Sequence, residues 1–112
     1  MLLRLFWRTG CVFGALLIAV LSLWPRVDAL SIVPHQDKYG HALAYCCLAF
    51  FGLRGFPQNT VAVLLASVFW GVLMECLQHF QPPRTFDLLD MLANTIGVLS
   101  AWGLNSYLNK TR

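Results

Sequence analysis

The sequence predicts an all-α integral membrane bundle of four transmembrane helices with both termini on the cytoplasmic side. Three observations carry that prediction. Of the 112 residues, 58% are hydrophobic and 12% charged, against roughly 45–50% and 25% in soluble domains. A soluble chain this short has too little interior to hide so much apolar surface, so the excess faces lipid. The apolar residues fall into four long runs, and the ionisable residues gather near the ends of those runs. The length, residues 1–112, suits a single domain.

A lipid span needs about 20 apolar residues, with a range of roughly 17–25. The first run, Leu5 to Trp24, is stopped by Pro25. Arg4 and Arg8 before it and Val27-Asp28-Ala29 after it have the outline of a signal peptide. The apolar part of a signal peptide is shorter, at about 7–15 residues, so the run reads as a retained helix. The second run, Tyr39 to Leu53, is short, but its flanking Lys38 and Arg54 can snorkel and extend it. The third, Thr60 to Phe80, ends at Pro82-Pro83. The fourth, Leu88 to Leu108, precedes the polar tail Asn109-Lys110-Thr111-Arg112. By length the first, third and fourth runs qualify as spans. No internal repeat is evident. Cys11, Cys46, Cys47 and Cys76 all lie inside apolar runs without metal or disulfide spacing, and read as small hydrophobes.

Lys and Arg placement orients the bundle. With four spans, Arg4, Arg8, Arg54, Lys110 and Arg112 share one side, while Arg26, Lys38 and Arg84 share the other. The richer side is the cytoplasmic one. The net charge of +3 is small and forms no basic stripe, which argues against nucleic acid as a partner.

On that topology the remaining ionisable residues meet at the outer face. Asp37, Lys38 and His41 open the second helix; Glu75, Gln78 and His79 close the third; Arg84 lies in the outer loop; and Asp87, Asp90 and Asn94 open the fourth. At about 1.5 Å per residue, His41, Glu75, Asp90 and Asn94 lie roughly 5–12 Å below the helix ends. Lipid is hostile to such groups, so they should point into the bundle. Spacing agrees: Asp37, His41 and Tyr45 share a helical face, Glu75 shares one with Gly71, Gln78 and His79, and Asp87, Asp90, Asn94 and Gly97 form a stripe. Gly97 and Ala101 on that stripe would admit a close helix neighbour.

Each group also has a purely structural reading. Glu75 with Arg84 suits an ion pair between helices as well as a ligand site, and Arg84 has the planar fork that fits a carboxylate or a phosphate. His41 and His79 suit hydrogen bonding better than metal or acid–base work. Glu75, His79 and His41 lack a metal signature, so neither a metal nor another cofactor is expected. Asp87 suits a helix cap, and Asn94 an interhelical hydrogen bond.

Asp37-Lys38-x-x-His41 before an apolar helix, Glu75-x-x-Gln78 followed by Pro83-Arg84, then Asp90 and Asn94-Thr95-x-Gly97, together resemble the motifs of the VanZ-like family in their order. The resemblance runs from Asp37 to Gly97. It implies a small multi-pass membrane protein of the bacterial inner membrane and cell envelope. The family takes its name from a determinant of low-level resistance to the glycopeptide teicoplanin, and its members are widespread beyond resistance clusters. The polar positions carried over are Asp37, Lys38, His41, Glu75, Gln78, Arg84, Asp90 and Asn94. Asp87 stands where Ser is more often expected, which adds negative charge.

The first functional expectation is a binding protein for the head group of a membrane lipid or a lipid-linked envelope precursor, with Arg84 and Lys38 on phosphate. Were it an enzyme acting on that head group, Glu75, His41 and Asp90 would serve as acid and base, with His79 beside Asp90. No nucleophile elbow, phosphate loop or complete phosphatase signature accompanies them. A proton-coupled transporter subunit is the third reading, and with so few helices it requires a homo-oligomer.

Overall fold

In a computed structural model of the chain, residues 1–23, 36–80 and 88–110 are described, apart from the side chains of residues 36–38 and His79. Four α-helices form them: α1 (Leu2–Leu23), α2 (Gln36–Gly55), α3 (Thr60–His79) and α4 (Leu88–Lys110). No strand occurs among the described residues. The helices fall on the four apolar runs. The main difference is α2, which is 20 residues long. Its polar N-terminal turn and Arg54 are helical, whereas an apolar run ends at its first charge.

Side-chain contacts fix the directions. Arg8 Nε donates to the Gly55 carbonyl at 2.8 Å and the Cys11 thiol lies 3.8 Å from the Leu48 carbonyl, so α1 and α2 are antiparallel. Arg54 donates to Asn109 Oδ1 at 3.2 Å, and Ala42 lies against Gly97, so α2 and α4 run parallel. Trp70 Nε1 donates to the Ala15 carbonyl at 3.2 Å and Gln78 Nε2 to the Ser22 carbonyl at 2.8 Å, which makes α1 and α3 parallel too. The order around the bundle is α1, α2, α4, α3, with α2 and α3 also touching across the middle.

The core lies along α2, where Tyr45, Leu48, Ala49 and Leu53 are buried, and meets Ile18, Met74, Val98 and Ala101 from the other helices. Small residues set its spacing. A Cβ on Gly97 would run into the Ala42 carbonyl, and one on Gly71 would come within 2.9 Å of Asn94 Nδ2 and 3.3 Å of Tyr45 Cε1. Glycine at both positions lets the backbones approach as closely as they do. Two hydroxyls on α4 bond within their own helix, Thr95 to the Met91 carbonyl at 2.9 Å and Ser100 to the Ile96 carbonyl at 2.8 Å. Such back-bonding satisfies a hydroxyl without water.

Two helices, α1 and α3, are both long and apolar enough to cross a membrane. α4 has the length, at 23 residues, but the apolar average that length suggested is missing. Its buried stripe carries Asp90, Asn94 and Asn105. The outward face of the same helix presents Leu92, Ile96, Leu99 and Trp102. All four cysteines are free; Cys47 and Cys76 are exposed on outward faces, so they pack in no core.

Candidate functional site

The polar layer is built where α1 and α3 end and α2 and α4 begin. Glu75 is 2% exposed, Asn94 3% and Asp90 9%, and Gln78 is buried with them. Each faces inward because its helix has an apolar outer side: Leu77 and Val72 are exposed on α3, Leu92 and Ile96 on α4. Tyr45 comes up from α2 at 1% exposure. Helical side chains lean toward their N-terminus, which aims the ring at the polar end. His41, one turn nearer the start of α2, is half-buried.

Hydrogen bonding in this layer is uneven. Gln78 Nε2 is engaged by the Ser22 carbonyl, which ties α1 to α3. The Tyr45 hydroxyl and Asn94 Oδ1 are buried and have no hydrogen-bond partner among the described residues. Asn94 therefore lies at the interhelical contact, against Gly71 of α3, with its carbonyl oxygen unsatisfied. No group of three His, Cys, Asp or Glu among the described residues is arranged to hold a metal ion.

Of the residues expected at the site, Glu75, Gln78, Asp90 and Asn94 are thus buried at one end of the bundle, with His41 at its margin. Asp37, Lys38 and His79 belong to helices that end there, but their side chains lie outside the described residues, as do Arg84 and Asp87 altogether. Sequence reading put Tyr45 on the right face without assigning it to the site; a polar atom one turn below His41 was the available signal. It missed Asn105, buried at 8% exposure. The stripe Asp90, Asn94, Gly97, Ala101 reaches Asn105 when continued by one turn.

Helices with apolar outer faces around a buried polar layer define a membrane protein of the helical-bundle class. The chain belongs to the VanZ/LLP1 family, whose pattern it matches over residues 1–109. It is similar to "Uncharacterized protein C11E3.10" of Schizosaccharomyces pombe (strain 972 / ATCC 24843), at 34% identity over 85 residues. That match covers 71% of this chain and 52% of the relative, so the chain spans about half the relative's length. The relative is a fission yeast protein, so the similarity reaches a eukaryotic protein. No solved structure matches the chain.

Proposed function

We propose that the chain is a four-span protein of the bacterial inner membrane, both termini cytoplasmic, whose outward-facing polar layer binds the head group of a lipid or lipid-linked wall precursor. The observation that carries this reading is the unsatisfied pair formed by the Tyr45 hydroxyl and Asn94 Oδ1, buried beside Glu75 and Asp90. A buried polar atom without a partner costs about 1–3 kcal/mol. A ligand that fills those bonds recovers that cost, and ionisable groups at membrane depth commonly mark such sites.

In this reading Arg84 and Lys38 take the phosphate, Tyr45 donates to a phosphate or sugar oxygen, and Glu75, Asp90 and Asn94 accept from head-group hydroxyl or ammonium groups. Asp37 and His41 line the approach. Gln78 holds α1 against the site through the Ser22 carbonyl. The apolar outer faces of α2 and α4, with Leu43, Leu92, Ile96 and Leu99 exposed, support four spans. Capture of a wall precursor is the route by which such a protein would alter the response to teicoplanin.

The test is mass spectrometry of lipids that copurify in mild detergent with the wild type, Arg84→Ala and Asn94→Leu. A phosphorylated lipid enriched over bulk membrane and depleted in both variants is expected. Equal lipid in all three, with only lower stability in the variants, would leave a structural network. Conversion of the bound lipid, lost in Glu75→Gln with binding kept, would replace binding by catalysis.

A further inference from the structure

The opposite end of the bundle carries a second unsatisfied site. The first turns of α1 and the last turns of α2 and α4 enclose an open cavity of about 990 Å³. Arg4, Arg8 and Arg54 line it, together with Trp7, Asn105 and Asn109. The acidic side chains described, Glu75 and Asp90, sit at the far end, so no acidic side chain among the described residues offsets these guanidiniums locally. The C-termini of α2 and α4 contribute only about half a negative charge each, and the start of α1 about half a positive one.

The arginines are oriented rather than merely present. Arg8 is held by the Gly55 carbonyl and lies 4.6 Å over the Phe56 ring. Arg54 is held by Asn109 and lies 5.5 Å from the Phe50 ring centre. Those contacts leave further N–H groups of both fans free to bind an anion. Setting membrane orientation needs only a number of positive charges on one side; it does not need them to converge on a cavity. Inside the cavity wall, Asn105 is 8% exposed and its Oδ1 has no hydrogen-bond partner among the described residues. It is an acceptor waiting for a donor.

We infer that this cavity binds the head group of an anionic phospholipid bearing a free hydroxyl, from the leaflet next to the N-terminal end. The guanidiniums take its phosphodiester and Asn105 Oδ1 accepts from the hydroxyl. The apolar wall decides for a lipid over a soluble acidic peptide: Leu3, Leu5 and Leu53 line the cavity beside the arginines. Trp7 lies edge-on to Phe51 at 4.9 Å, an aromatic platform of the kind found at membrane interfaces. This inference is independent of the polar-layer reading and concerns the opposite end of the molecule.

The test uses the full chain in detergent with dioleoyl phosphatidylglycerol, phosphatidic acid or phosphatidylcholine, bound lipid being counted by native mass spectrometry. Wild type should retain phosphatidylglycerol over phosphatidylcholine. Each guanidinium removed should weaken retention about fivefold, so Arg4→Gln with Arg54→Gln should weaken it roughly 25-fold, while the Arg→Lys pair loses less. Asn105→Leu should lower the retention of phosphatidylglycerol, whose glycerol hydroxyl Asn105 Oδ1 accepts from, and leave that of phosphatidic acid, which lacks the head-group glycerol, little changed. Arg4 is exposed, so its substitution alone reads the site without disturbing packing. Equal retention of the charged and zwitterionic lipids, or unchanged retention in the double Gln variant, would overturn the inference. Loss of phosphatidylglycerol on Arg84→Ala instead would assign the lipid to the polar layer and overturn it equally.

Discussion

Tyr45 shows how much turns on single atoms in this chain. Its ring packs in the core at 1% exposure, while its hydroxyl meets no partner among the described residues. Tyr45→Phe therefore removes no protein hydrogen bond and relieves a buried unsatisfied hydroxyl, so unfolding in detergent should show no loss of stability and a gain of up to about 1–3 kcal/mol. Lipid retention in the polar layer should fall all the same. A large loss of stability would mean that the hydroxyl is satisfied within the protein, and the ligand reading would lose its main support. Gln78 makes the opposite case. Its amide is committed to the Ser22 carbonyl at 2.8 Å, so Gln78→Leu removes a buried hydrogen bond between α1 and α3. The same unfolding measurement should show a loss of about 1–3 kcal/mol.

Between helices, the decisive contact is α2 against α4. It is the most extensive pairing in the bundle, and the absent side chain of Gly97 allows it. A Cβ there meets the Ala42 backbone carbonyl, which has no rotamer to move out of the way. Gly97→Ala should force the helices apart and cost about 1–3 kcal/mol. Gly103 lies on the same helix with nothing within 4 Å of a built Cβ. Gly103→Ala should gain up to about 1 kcal/mol from helix propensity alone. Melting curves of the two variants should move in opposite directions. Shifts of the same sign would show that α4 is not pinned to α2 at Ala42. The α1–α3 pair depends instead on donated hydrogen bonds, from Trp70 to Ala15 and from Gln78 to Ser22. Its helices are thus joined at discrete points along their length.

For the whole molecule the question is which end faces which side. The described carboxylates Glu75 and Asp90 lie toward one end, while Arg4, Arg8, Arg54 and Lys110 lie toward the other. That asymmetry predicts a cytoplasmic N-terminal end. An alkaline-phosphatase fusion at Gln81 should be active and one at Asn59 inactive. The reverse pattern would invert the molecule and put the polar layer inside the cell. It would not alter which residues meet, since the clustering follows from the packing alone.

Four helices and their approximate bounds were legible in the residues, because lipid and core impose long apolar runs and polar residues break them. The inward stripe of α4 was legible too, since Asp90, Asn94 and Gly97 recur at helical spacing. Other features were not. A run is read one segment at a time: alternating spans make α2 and α4 parallel, but nothing local shows that α2 stands among the other three helices or that α4 is its most extensive neighbour. Nor does spacing reveal which polar atoms lack partners: Asn94 finds Gly71, and Asn105 finds a basic cavity, only once the helices have packed. Periodicity settles which face of a helix turns inward. What that face meets depends on neighbours far away in the chain, and so belongs to the tertiary structure.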